Sequence, residues 1–172
     1  MAFDLKLALF KPLIKLAMER SGHGAALGFD LKVVARGEVS MTFPYIEAVI
    51  GNPVTGVVHG GVIVSLLDTC CGCAAITSLL RPAVMPTMDL RLDYMHPAKP
   101  GRPIYLSAKV YRNTSNVIFC RGSAWQDDKE NPIAHCVATF MKIDSEGFSF
   151  ANIVRRRFKR LIGGTKALES DQ

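Results

Sequence analysis

Gly56-Val57-Val58-His59-Gly60-Gly61-Val62-Ile63-Val64-Ser65-Leu66-Leu67-Asp68 is the stretch that decides the fold. A histidine and two glycines open a run that continues over residues 60–80 and is apolar almost all round. A helix without a polar face is enclosed rather than laid on a surface. This one nevertheless carries a carboxylate, Asp68, on its third turn. Burying an uncompensated carboxylate costs several kcal/mol, so Asp68 needs a partner or a task.

The segments on either side of the helix read as strands. Between Lys32 and Phe43, Val33, Val39, Met41 and Phe43 fall on one side, and Lys32, Glu38, Ser40 and Thr42 on the other. Arg36-Gly37 is placed to turn this run into a hairpin. After the helix come four strand-like runs, residues 85–96, 103–112, 117–126 and 133–143. Polar turns at Asn113-Thr114-Ser115-Asn116 and Asp127-Asp128-Lys129-Glu130-Asn131 separate the later ones, which predicts an antiparallel meander. One antiparallel sheet wrapped round one central helix is the simplest way to bury that helix, an α+β arrangement.

At 172 residues the chain suits one such domain. Hydrophobic residues make up 49% and charged residues 21%, which excludes a disordered chain. No stretch approaches the roughly 18 uninterrupted apolar residues of a membrane span. Lys6, Lys11 and Lys15 break up the apolar residues at the N-terminus, so no signal-peptide core forms and a cytoplasmic protein is expected. Residues 4–20 read as an amphipathic helix, kinked or divided at Pro12 and ended by Ser21-Gly22-His23-Gly24. The domain plan is therefore an N-terminal helix and linker (1–29), the wrapped-helix domain (30–144) and a basic extension (145–172).

The formal charge of +6 points to polyanions without choosing among them. Its densest piece, Arg155-Arg156-Arg157-Phe158-Lys159-Arg160, has no nucleic-acid motif beside it and reads as a solvated tail. Three of the five cysteines stand together in Cys70-Cys71-Gly72-Cys73. They lie inside a helix rather than at its start, and Cys120 and Cys136 offer no matching pair, so neither zinc nor redox use is expected. His23, His96 and His135 share no ligand spacing, and no metal is assigned.

Three features together resemble the hotdog-fold acyl-CoA thioesterases of the phenylacetate-pathway (PaaI-like) group. They are His59-Gly60-Gly61, Asp68 nine residues after the histidine, and Asp89-Leu90-Arg91-Leu92-Asp93-Tyr94-Met95-His96-Pro97-Ala98-Lys99-Pro100-Gly101. The likeness covers about residues 30–143. It implies a site shared between two subunits of a homodimer or dimer of dimers, acting on acyl-CoA with no separate cofactor. Asp68 matches the catalytic carboxylate, a nucleophile or a general base on water. Gly60 matches the residue whose N–H holds the thioester carbonyl oxygen. Asn52 corresponds to an asparagine that positions the carbonyl or the water, although Asn52 to Gly56 is one residue longer than the commonest spacing. Thr87 falls where the group has a serine or threonine near the carboxylate of the other subunit, and His59 organises the site.

Physical chemistry supports this reading. A helix N-terminus presents unpaired N–H groups and partial positive charge, suited to an oxyanion. Gly61, Ser65, Asp68, Thr69 and Gly72 recur at spacings of three and four, a small and polar stripe on an apolar rod. Lys99, Arg102 and Arg112 are the cations expected to attract the phosphates of coenzyme A, less strongly as salt rises. Each residue also has a plain structural reading: Asp68 as a helix aspartate with hydrogen bonds, His59 as a hydrogen-bonded structural histidine, Thr87 as a strand residue. A hotdog hydratase would need a close Asp and His pair before the helix, and a ligand-binding regulator would need a DNA-binding domain that about 30 N-terminal residues cannot hold. A catalytically silent acyl-CoA binder is the alternative that turnover would decide.

Overall fold

The computed structural model describes residues 12, 22–79 and 83–143. Apart from Pro12, the amphipathic helix read over residues 4–20 lies outside the described residues, as does the basic extension 145–172. The helix stop read at Ser21-Gly22-His23-Gly24 is corrected, because Gly22–Leu27 is itself a short helix, α1. The residues that follow the glycines, Ala25, Ala26 and Leu27, favour a helix.

β1 (Asp30–Ala35) and β2 (Glu38–Phe43) form the hairpin, and Gly37 in its turn sits at φ +74°, where a side chain is disfavoured. The long helix α2 spans Gly60–Ser78. β3 (Thr87–Tyr94), β4 (Ile104–Asn113), β5 (Val117–Trp125) and β6 (Ala134–Met141) complete a six-stranded antiparallel sheet in the order β1-β2-β4-β5-β6-β3. The meander expectation therefore holds for β4, β5 and β6 only. β3 pairs with β6 at the sheet edge, and residues 95–103 carry the chain back to the centre. The alternation of apolar residues specifies which face of β3 is buried but says nothing about its neighbour.

The sheet curves round α2. Val39, Met41 and Phe43 from β2, Ile104, Leu106 and Ala108 from β4, and Ala134, Cys136, Ala138 and Phe140 from β6 are buried on its inner face. Small residues bring the helix close. A Cβ on Gly122 would stand 3.0 Å from Cys136 Sγ and 3.1 Å from Cys71 Sγ, so a side chain there would have to push the two sulfurs aside. With 19 residues and a window hydropathy of 1.6, α2 has the length and composition of a membrane span, beyond what counting uninterrupted apolar residues implied. Here the sheet supplies its apolar surroundings, and Leu66, Leu67, Cys70, Cys71, Cys73, Ala74 and Ala75 are fully buried.

Cys70, Cys71 and Cys73 thus serve as small core residues, with Cys120 and Cys136 facing them from the sheet. Burial pushes the thiols of Cys73 and Cys120 from 9.0 up to about 12, Cys136 adding to the shift at Cys120. A thiol held neutral in the fold contributes stability that is complete below its unfolded value and fades as pH rises towards the folded one. Melting temperature should therefore fall between pH 9 and about pH 12. Iodoacetamide at neutral pH should leave both thiols unmodified until denaturant is added. Mass spectrometry before and after unfolding checks this; native labelling of Cys73 would contradict it.

Candidate active site

The loop before α2 determines where the helix begins. Ile50 and Val58 form an isolated antiparallel bridge, and His59 N–H donates to Val49 C=O at 2.8 Å. Asn52 and Gly56 close a tight turn: Gly56 N–H donates to Asn52 C=O at 2.8 Å, and Val54 N–H to Asn52 Oδ1 at 2.9 Å. Gly56 lies at φ +71°, and the Tyr45 hydroxyl donates to its carbonyl at 2.8 Å. The Asn52 side-chain oxygen is thus committed to its own turn, leaving the amide NH2 as the group it can present.

His59 is the N-cap. Its backbone is extended and its Nδ1 accepts the Gly61 N–H at 3.0 Å. Val62 N–H donates to His59 C=O at 2.9 Å. Gly60 N–H has no acceptor among the described residues. The helix therefore starts with one backbone donor free, at the end where its dipole is positive. The histidine's part in this is to cap, since an Nδ1 that accepts a bond carries no proton.

Two turns further along, Asp68 is half-buried, and the Thr87 hydroxyl donates to its Oδ1 at 2.9 Å. The rest of the polar stripe satisfies itself: Ser65 Oγ donates to Gly61 C=O at 3.0 Å and Thr69 Oγ1 to Ser65 C=O at 2.8 Å. Asp68 is thereby the stripe's one charge. The resemblance placed Thr87 near the other subunit's carboxylate, whereas the observed bond is within one chain. The cause is a β-bulge between Thr87 and Asp89. On a regular strand Thr87 would oppose the face shared by Leu90, Leu92 and Tyr94, and the extra residue turns it towards the helix.

The basic residues divide. Gln126 ties Lys99 and Arg102 into one loop, donating to the carbonyls of both and accepting the Lys99 N–H at 2.8 Å. Arg102 also pairs with Asp127. Arg112 is near the other end of β4, roughly 27 Å away at the usual rise per residue, so within one chain it does not join them.

Tyr94 was quoted in the resemblance motif but given no role. Its hydroxyl donates to Gly60 C=O at 2.8 Å, and it borders a cavity of about 360 Å³ with Val58, Ile63, Met95 and Ile133. Strand and helix lie 34 residues apart in sequence at this contact, so no local pattern announces it.

Residues 55–133 match the thioesterase superfamily. A Halobacterium salinarum protein assigned as an esterase is 33% identical over 108 residues, which are 61% of this chain and 70% of that one. The medium/long-chain acyl-CoA thioesterase YigI of Salmonella typhimurium is 29% identical over 129 residues, 67% of this chain and 82% of YigI. A solved structure from Pseudomonas aeruginosa is 42% identical with a TM-score of 0.70, covering 78% of this chain and 99% of that chain. The Escherichia coli PaaI protein, from the phenylacetic acid degradation operon, shares the fold at a TM-score of 0.69 and 17% identity, over 83% of this chain and 96% of its own. A six-stranded antiparallel sheet round one enclosed helix is the fold shared with these structures, and with the likeness to the thioesterase superfamily and to YigI it defines a thioester hydrolase. The chain belongs to the thioesterase superfamily.

Proposed function

We propose that this chain hydrolyses medium- to long-chain acyl-CoA to the free acid and coenzyme A. The observation that carries the reading is the Asp68 carboxylate, bonded by Thr87 of β3 and carried on the helix whose first N–H has no acceptor among the described residues. The thioester oxygen would accept the Gly60 N–H, which stabilises the charge that develops there during acyl transfer. Asp68 then either attacks the carbonyl carbon, expelling the CoA thiolate and leaving an anhydride for water to cleave, or takes a proton from the attacking water. Lys99 and Arg102, held in one loop, face solvent as the side on which the phosphates of coenzyme A would lie. The chain length comes from the likeness to YigI. Turnover measured on acetyl-, octanoyl- and palmitoyl-CoA tests the whole reading: no hydrolysis of any of them would overturn it and favour a silent acyl-CoA binder.

The geometry supports a site completed by a second copy. Eight residues of helix rise separate Gly60 from Asp68, about 12 Å at 1.5 Å each. A reacting carbonyl must lie within roughly 3 Å of both its oxyanion donor and its nucleophile. One chain therefore supplies either group to a given thioester but not both. β3 is at the sheet edge with Met88 and Tyr94 exposed, which offers backbone and apolar surface to a second β3. Sedimentation equilibrium should find a dimer or dimer of dimers, with activity lost as the protein dissociates. A fully active monomer would contradict this.

A further inference from the structure

We propose that Cys71 and Cys136 form a modification site, a dithiol that hydrogen peroxide closes to a reversible disulfide between α2 and β6. In sequence the two thiols are 65 residues apart and show no pairing, but the fold brings their sulfurs to 3.6 Å, in hydrogen-bond contact. Gly122 on β5 lets them meet, since a Cβ there would stand 3.0 Å from one sulfur and 3.1 Å from the other. A glycine inside a strand weakens it, and the close approach of neighbouring groups is what such a glycine permits.

The two thiols are unequal. The hydrogen bond from Cys71 holds the Cys136 thiol below its ordinary value against the effect of burial, with the Gly122 backbone adding to it, whereas the same bond and burial push Cys71 up. Cys136 is therefore the sulfur that ionises, and at 4% exposure it is also the one cysteine of the five that is not wholly enclosed. Its thiolate attacks one peroxide oxygen, the O–O bond breaks, and hydroxide leaves to take up the thiol's proton as water. The Cys71 sulfur then attacks the resulting sulfenic acid; the S–S bond forms, the S–O bond breaks, and the hydroxyl departs with the Cys71 proton as a second water. Two thiols lose two hydrogens and two electrons, and the peroxide gains them. Because an S–S bond is about 2.05 Å long, helix and strand must close by roughly 1.5 Å. Cys71 lies one turn after Asp68, whose charge is near enough to oppose the ionisation of Cys136. The link thus pulls on the stretch of helix that carries the carboxylate, and its effect on turnover rests on the functional reading above.

The test exposes the full chain to hydrogen peroxide at levels that leave its far-ultraviolet circular dichroism unchanged, then maps unreduced digests by mass spectrometry. The peptide carrying Cys71 should appear joined to the one carrying Cys136, lighter by two hydrogens, and dithiothreitol should separate them. Cys70, Cys73 and Cys120, whose thiols burial pushes up, should stay reduced. The cross-link should vanish in Cys71→Ala and in Cys136→Ala and persist in Cys70→Ala. On octanoyl-CoA the oxidised wild type should lose about tenfold in kcat, recovered on reduction, while peroxide leaves the kcat of Cys71→Ala unchanged. Five free thiols after peroxide, or a cross-link between other cysteines, overturns the site. A Cys71–Cys136 link with unchanged kcat overturns its hold on Asp68. Wild type without turnover before any oxidation sinks the functional reading instead, and the peptide map alone then decides the disulfide.

Discussion

Asp68→Asn should abolish most turnover while leaving the fold and substrate affinity close to normal. The amide keeps the shape of the carboxylate and an oxygen able to accept the Thr87 hydroxyl, now seen at 2.9 Å on Oδ1. What it loses is the ability to attack a carbonyl or to take a proton from water. A missing nucleophile or base raises the barrier by about 3–5 kcal/mol, which lowers kcat roughly a hundredfold to several thousandfold. Folding should survive because a neutral amide is easier to half-bury than a charge. Measuring kcat, KM and melting temperature on one preparation separates the outcomes. Near-normal kcat would remove Asp68 from the chemistry, and a collapsed melting temperature would make it a structural residue.

The second large effect is expected from Gly51→Ala, far from the reacting atoms in sequence. A Cβ at that position would stand 2.7 Å from His59 Cα and 3.0 Å from His59 N. The obstacle is backbone, and backbone tied at 2.8 Å to Val49 C=O, so no side-chain rotation relieves it. The loop and the His59-Gly60-Gly61 turn must move apart. Overpacking of this kind costs about 1–3 kcal/mol, or roughly 2–12 °C in melting temperature for a chain of this size. If Gly60 N–H is the oxyanion donor, as proposed, displacing it by a fraction of an ångström should lower kcat about tenfold to a hundredfold as well. Gly22→Ala is the control, because a Cβ there meets nothing within 4 Å. Equal behaviour of the two variants would show that the loop does not set the position of the helix start.

Much of the site was legible because its signals are local. The N-cap histidine, the glycines and the carboxylate all lie within ten residues on one helix, and helix periodicity relates their directions. Asn52 was placed in the loop leading to the helix, and it is there, although its side-chain oxygen closes a turn. Thr87 was picked out by its place in the resemblance, but its bond to Asp68 of the same chain follows from a bulge that shifts the strand's phase by one residue. Arg112 was grouped with Lys99 and Arg102 on charge, and charge carries no information about which end of a strand a residue occupies.

The amino-acid order by itself determined that α2 and the six strands form, that α2 had to be enclosed, and that one carboxylate stood where an apolar helix needed a reason for it. These follow from hydrophobic periodicity and from the cost of burying charge, which act over a few residues at a time. Only the tertiary structure decided that β3 leaves the meander for the far side of β6, that its bulge aims Thr87 at Asp68, and that Tyr94 reaches Gly60. Strand partners and contacts between residues 19 or 34 positions apart depend on how the whole sheet closes round the helix, a global packing problem that no local pattern encodes.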